Sequence, residues 1–438
     1  MALSTDKNIF EYLGIILTVI FTSCYFFPFE TVYYPGINSK MVIAGFGLCL
    51  LGIQLSKHRT SEINRDFFSI SLIAFFISLL SFVAIVYNST NDTSFVFYFV
   101  SMWVWLGGAY TLVKWIKFFH KGISIRLLSN YLITVCVIQC LLAYAIDIYL
   151  PLQNLVNQFL GGEASMGIAE GRLYGIGCAL DVAGFRFSAV LVMIAYLCIH
   201  EDTNYIKKNI VYYLLAFVII AILGNMISRS TVVGVALAIA YWTYASIFRS
   251  KNQNVNVFVW RWFGTILLIG IPLMMYLYHT NQTFHENLRF GFEGFFSLFE
   301  KGEWEVSSND ILFNHMIRFP ETLKTWLIGD GYAVNPSVDP YYTGKAWHGY
   351  YMGTDIGYLR YIFYFGIFGL FAFIMLICKS TLICISRFPK YKILFILLLF
   401  VNLIGWFKVS TDIFLVFALF LVFDKNDESS NQIINQES

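Results

Sequence analysis

The chain has 438 residues, 58% hydrophobic and 13% charged, with a formal net charge of +2. A soluble domain carries about 25% charged residues, so this composition excludes an ordinary soluble fold, and the near-neutral charge points to no nucleic-acid partner. The apolar residues form continuous runs close to the ~20 residues a helix needs to cross a bilayer, not the alternating ~10-residue segments of a β-barrel. The expected fold is an all-α polytopic membrane protein with the lipid bilayer as its surroundings.

In chain order, spans are predicted over 10–28, 41–55, 67–87, 95–116, 127–149, 180–200, 209–227, 231–248, 257–278, 356–378, 391–407 and 412–424. This makes about twelve transmembrane helices within a helical domain over 1–424. The second and the last two are short. The first has only Lys7 before it and no small-residue cleavage site after it, so it reads as a helix rather than a signal peptide. The residues 425–438 are polar and read as a disordered cytoplasmic tail.

Lys and Arg in the short loops set the orientation. Lys57, Arg59 and Arg65, then Lys114, Lys117, Lys121 and Arg126, then Lys207 and Lys208, then Arg249 and Lys251, then Lys379, Arg387, Lys390 and Lys392 fall on one side. The alternate connections hold only Lys40, Arg172, Arg229 and Lys408. The first set and both termini are therefore placed in the cytoplasm. A first outer loop, 150–179, and a large outer loop with short helices, 279–355, then face outward. Long loops on a rigid scaffold are where sites are expected.

Familiar chemistries leave no trace. There is no P-loop, no GxSxG and no HExxH. His285, His315 and His348 lack ligand spacing, and the cysteines sit mostly in apolar runs as small buried residues. No metal and no cofactor is expected.

The arginines of the outer side carry the strongest signal. Arg172 lies before the sixth span, Arg186 inside it, and Arg229 in the SRS turn between the seventh and eighth. Arg289 and Arg318 lie in the large loop, and Arg360 one turn into the tenth span. A charge at membrane depth costs a few kcal/mol and marks a functional site by default. Pairing of Asp181 with Arg186, or of Asp355 with Arg360, is the structural alternative, and i,i+5 spacing is poor for a pair on one helix. Guanidinium forks match phosphate oxygens bidentately and stay charged at any working pH. A lipid diphosphate at the outer surface is the ligand this pattern suggests.

Four segments carry a resemblance to a family. GRLYGIGCALDVAGFRF (171–187) enters the sixth span, NMISRSTVVG (225–234) forms a later hairpin, and TWLIGDGY (325–332) is followed by TDIGYLRYIFYFGIFGL (354–370). In order and placement they resemble the O-antigen polymerases and O-antigen ligases. That resemblance implies an all-helical fold related to membrane glycosyltransferases. It implies a metal-independent transfer of a saccharide from undecaprenyl diphosphate to another sugar, on the periplasmic face of the bacterial inner membrane. Outer-loop arginines would hold the diphosphate, with Arg172 and Arg229 matching best and Arg289 or Arg318 for the large loop. Ligases share a His-Asn pair at the start of the helix after the large loop. Asp355 fills that His position here, which favours a polymerase building O-antigen, capsule or exopolysaccharide over a ligase to lipid A core. Asp355 is then the first candidate for the catalytic base and His348 the second. The donor and acceptor are both undecaprenyl-diphosphate-linked oligosaccharides, and a chain-length regulator is the partner the resemblance implies.

Two other readings compete. A flippase for the same lipid-linked saccharides should carry deep charges and interrupted helices in both halves. A non-catalytic receptor or scaffold should make no covalent product. The aromatic segment 341–353 fits an acceptor groove, and 291–300 fits a helix lying on the membrane interface.

Overall fold

The structure is a computed structural model that describes residues 9–57, 62–161, 172–248, 253–336 and 349–423. The polar tail at 425–438, His348 and most of the aromatic segment 341–353 lie outside the described residues.

Each of the twelve predicted apolar segments contains a helix among its described residues. Among the described residues, seven helices are long and apolar enough to cross a membrane: Arg65–Asn88, Ile125–Ile148, Leu180–His200, Thr203–Ile227, Thr231–Phe248, Val257–Thr280 and Gly357–Arg387. The chain is thus an all-α protein of multi-pass membrane type. Burial differs sharply among these helices. Leu180–His200 is 89% buried over its most apolar stretch and Val257–Thr280 only 6%. A helix that is apolar all round suits either place, since lipid is as apolar as a protein core.

The contacts divide the chain into two compact units, Met1–Ala44 with Gly108–Phe296 and Phe423–Ser438, and Gly45–Gly107 with Ser297–Val422. The first unit contains α1 (Ile9–Phe26), the C-terminal part of α4 (Tyr98–His120), α5 (Ile125–Ile148) and α6 (Leu150–Phe159). After these come α7 (Leu180–His200), α8 (Thr203–Ile227), α9 (Thr231–Phe248), α10 (Gln253–Thr280) and α11 (Gln282–Gly291). A short antiparallel pair, Glu30–Thr31 with Leu160–Gly161, ties the segment after α1 to the end of α6.

Polar side chains start the helices where the chain turns. Ser124 caps α5 by accepting from the Leu127 amide, and Asp202 caps α8 by accepting from the amides of Asn204 and Tyr205. Such caps satisfy amides that the first helical turn leaves without intrahelical partners. α7 is the axis of this unit. It meets α9 through small residues: a side chain on Gly184 would strike Ser228 and Ser230, and one on Gly234 would strike the Ser188 backbone. The Gly234 amide donates to Ser188 Oγ at 3.0 Å, and that hydroxyl donates to the Ser230 carbonyl at 3.1 Å. Small residues and short polar contacts are how membrane helices approach closely.

The second unit holds most of α2 (Ser39–Lys57), all of α3 (Glu62–Asn88) and the N-terminal part of α4. It also holds α13 (Ser307–Ile311), α14 (Leu323–Leu327), α15 (Gly357–Arg387), α16 (Lys392–Gly405) and α17 (Phe414–Leu421). α12 (Glu293–Lys301) runs from the end of one unit into the start of the other. Arg387 at the end of α15 is buried and donates from Nε and Nη2 to Asp66 at 2.9 and 2.6 Å, with Nη1 on the Leu421 carbonyl.

α15 is not continuous. Phe365 (φ −139°, ψ 23°) and Gly366 (φ 72°, ψ −174°) break it one-third of the way along. A break strands carbonyls that need partners at membrane depth. The loop after α14 supplies them: the Asp330 amide donates to the Phe363 carbonyl at 2.6 Å and the Gly331 amide to the Tyr364 carbonyl at 3.0 Å. The loop itself is pinned by Asn88 Nδ2 on the Gly329 carbonyl at 3.1 Å, Thr90 Oγ1 on the Gly331 carbonyl at 2.9 Å, and Asp92 accepting from the Ala333 amide at 2.7 Å.

Candidate functional site

The α8–α9 turn begins the site. Ser228 ends α8 with its amide on the Gly224 carbonyl at 2.8 Å, and Thr231 opens α9. Ser228 and Ser230 are buried. Ser228 Oγ donates to Asp181 Oδ1 on α7 at 2.8 Å and exchanges a 2.7 Å hydrogen bond with Ser230 Oγ. Between the two serines, Arg229 has its own partners. Its Nε donates to the Phe290 carbonyl at 2.9 Å, and its Nη1 lies 2.7 Å from Glu293 Oε2.

α11 crosses this end of the bundle. Asn281 caps it by accepting from the Phe284 amide at 2.9 Å. Phe284 meets Tyr144 of α5 edge-on at 6.0 Å, and Asn287 Nδ2 donates to Asp147 Oδ2 of α5 at 2.7 Å. Gly291 lies close on the backbone of Asn225 and Met226. Phe290 is thereby set under two arginines, with the Arg229 guanidinium 4.2 Å and that of Arg172 5.2 Å from the ring centroid. A ring face attracts a cation, so one aromatic side chain offsets part of the repulsion between two. Burial pulls the Arg229 guanidinium below its usual value, Glu293 pushes it back up, and Arg172 beside it pulls it down again. An arginine pulled down from its usual value still carries its charge at neutral pH.

Two residues after Arg172, the Tyr174 hydroxyl donates to Asn157 Oδ1 of α6. Burial pushes that hydroxyl up, Asn157 pulls it down, and the charge of Asp147 pushes it up. Asp147 therefore lies near both α11 and the Arg172 segment.

The other predicted arginines have their own surroundings. Arg289 donates from Nη1 to Tyr278 Oη at 3.2 Å and lies 4.9 Å from the Phe296 ring, with Tyr278 stacked on His285 at 4.1 Å. Arg186 is buried in α7, 5.6 Å from the Phe27 ring. In the second unit, Arg318 donates from Nε to the His315 carbonyl at 3.1 Å. Arg360 lies 3.8 Å from the Tyr350 ring and 3.6 Å from Asp355 Oδ1. The i,i+5 spacing of Asp355 and Arg360 argued against this pair, but Asp355 precedes the helix cap at Ile356 and is not bound by helical geometry.

Four residues of this site were missed from the sequence: Asp147, Asn287, Phe290 and Glu293. Asp147 had a legible signal, since it is an acid inside a predicted span. Asn287 and Phe290 lie on α11 and Glu293 opens α12, loop helices whose contacts depend on where they dock. Among the described residues no three His, Cys, Asp or Glu side chains gather as metal ligands.

No protein-family model, no curated protein and no solved structure matches the chain.

Proposed function

We propose that this chain is a membrane glycosyltransferase. It joins undecaprenyl-diphosphate-linked oligosaccharides to one another and so polymerises O-antigen, capsule or exopolysaccharide repeats. The observation that supports this reading is the juxtaposition of Arg172 and Arg229 on Phe290, at the end of the first unit where α11 crosses. In the proposed topology the chain crosses the bacterial inner membrane about twelve times, with this end at the periplasmic face. The transfer requires no metal, because the arginines supply the positive charge.

The physical logic follows from the leaving group. As the bond from the sugar C1 to the diphosphate oxygen breaks, negative charge grows on that oxygen. Two guanidiniums already oriented at that place interact more strongly with the transition state than with the ground state, which is the condition for catalysis. Mutual repulsion of Arg172 and Arg229 works in the same direction, since a bound dianion relieves it. Arg289, beside Tyr278 and Phe296, adds positive charge that attracts the lipid headgroup to this unit. Arg186 lies deeper in the same unit, where its charge adds to the positive field. Asp355 and Arg360 form an ion pair at 3.6 Å within the second unit.

The flippase reading draws on the break in α15, because transporters place substrates at interrupted helices. Here the stranded carbonyls of Phe363 and Tyr364 are taken by the chain's own amides at Asp330 and Gly331. That break accommodates a docked loop and does not present backbone to a cargo.

The test is reconstitution of the purified chain with a polyprenyl-diphosphate-linked oligosaccharide, with product length read on a gel. Longer chains are expected from wild type. Arg172→Ala and Arg229→Ala should each lower the rate by ~10²–10³, the usual cost of one oriented donor. Transfer to lipid A core would favour a ligase, and an unchanged substrate would remove the glycosyltransferase reading.

A further inference from the structure

The carboxylates at this end of the first unit differ in what holds them. Glu293 is neutralised by Arg229 at 2.7 Å. Asp181 accepts from the buried Ser228 hydroxyl. Glu286 accepts from Gln282 Nε2 at 2.6 Å in an exposed position. Asp147 is half-buried, and the hydrogen bond to one of its oxygens comes from an uncharged amide, Asn287 Nδ2, at 2.7 Å. An amide fixes a carboxylate without neutralising it.

The placement of Asp147 costs the fold something. It sits in the last turn of α5, where the helix macrodipole is negative and disfavours an anion. It also sits at the end of an apolar span, where a charge is expensive. Glu286 adds a second negative charge nearby. Helix stability alone does not account for an acid in that position.

Its position relative to the arginines is fixed by α11. Asn287 and Phe290 are three residues apart on that helix, hence on one face, with ~5–6 Å between their Cβ atoms. Asn287 holds Asp147 and Phe290 carries Arg172 and Arg229, so one face of α11 bears both the carboxylate's partner and the ring under the arginine pair. The Arg172 segment closes the triangle, because Tyr174, two residues on, feels the Asp147 charge.

We infer that Asp147 is the catalytic base of the transfer, accepting the proton of the attacking sugar hydroxyl while Asn287 orients it. This rests on the reading of Arg172 and Arg229 as the diphosphate clamp. In the step, the acceptor oxygen forms a bond to the donor C1 as the C1–O bond to diphosphate breaks. The bonding electron pair leaves on the diphosphate oxygen, held by the arginines. The hydroxyl proton passes to Asp147 Oδ1, the oxygen opposite the one that Asn287 holds.

The experiment uses the full chain in lipid nanodiscs with a polyprenyl-diphosphate-linked oligosaccharide. Donor binding and single-turnover transfer are measured separately for Asp147→Asn, Asp355→Asn and Arg229→Ala. Asparagine at 147 keeps an oxygen for Asn287 and removes only the charge and the proton-accepting capacity. The expected result for Asp147→Asn is transfer lowered by ~10²–10⁴, the range of general-base catalysis, with donor binding unchanged. Asp355→Asn should transfer within a few-fold of wild type. Wild-type transfer by Asp147→Asn, or loss of its donor binding, overturns the assignment while leaving the clamp intact. A severe defect confined to Asp355→Asn overturns it in favour of Asp355. If Arg229→Ala binds and transfers as wild type, the underlying clamp reading falls and the base goes with it.

Discussion

Glu293 takes Arg229 Nη1 at 2.7 Å, so an anion that binds Arg229 competes with a carboxylate. The pair is partly exposed, with side chains 16% and 33% accessible, which keeps its strength in the range of surface ion pairs, ~0.2–1 kcal/mol. Removing the competitor should therefore tighten diphosphate binding by up to about five-fold. Glu293→Gln measured by titration with inorganic diphosphate checks this, and unchanged or weaker binding would show that Glu293 is not a competitor. Arg229→Lys is the complementary variant. It keeps a charge but loses the Nε donor to Phe290 and the bidentate fork, so transfer should stay at least ten-fold below wild type. At this scale Arg172 and Arg229 were legible in the sequence, because charges at membrane depth stand out against apolar neighbours. Phe290 and Glu293 were not, because one is an aromatic among many and the other an acid in a mixed-charge loop. Only the docking of α11 on the α8–α9 turn gives them roles.

Helix elements were legible from apolar runs, and their interruptions were not. The tenth predicted span reads as unbroken because Gly366 sits among Phe365, Ile367 and Phe368, with no proline or polar residue to mark a break. The break is a tertiary fact: Gly366 meets the Leu327–Ile328 backbone, and Gly329 meets that of Tyr364 and Phe365. The segments TWLIGDGY and GYLRYIFYFG, separate in the sequence, are two sides of one packing arrangement. Gly366 has φ 72° and ψ −174°, a region that is essentially glycine-only and costs other residues ~1–3 kcal/mol. Gly366→Ala adds a clash with the Leu327 carbonyl to that strain. Its unfolding midpoint in detergent should fall clearly, whereas Gly45→Ala, with nothing within 4 Å, should be tolerated. Gly234→Val on α9 belongs with the first case, since its side chain meets the Ser188 backbone, and overpacking costs ~1–3 kcal/mol. Equal midpoints for all three variants would remove close backbone packing as the reason for these glycines.

Across the whole chain, the arrangement of ends within the first unit agrees with the charge pattern. α5 finishes at Ile148, α7 starts at Leu180, α8 passes into α9 through Arg229, and α10 finishes at Thr280. Contacts from Asn287 to Asp147, from Ser228 to Asp181 and from Arg229 to Phe290 gather these termini at one end. The opposite ends carry Arg126 with Glu201, then Lys207 and Lys208. Short-loop Lys and Arg residues remain in the cytoplasm because translocating them is unfavourable, so the gathered end should face outward. A lipid-diphosphate site assembled on the cytoplasmic side could not meet repeats already presented outside, which makes sidedness decisive for the proposed function. The exposed residues Gln282, at the start of α11, and Asn204, in the first turn of α8, report the two ends within one unit. Single cysteines at these positions are introduced into a chain whose Cys24, Cys49 and Cys378, the native thiols that are not buried, are replaced by serine. In intact spheroplasts an impermeant maleimide should label Gln282→Cys and spare Asn204→Cys until the membrane is permeabilised. The inverse pattern would place Arg172, Arg229 and Asp147 at the cytoplasmic face. There an arginine pair would need no function beyond attraction to anionic headgroups, and the glycosyltransferase reading would lose its site.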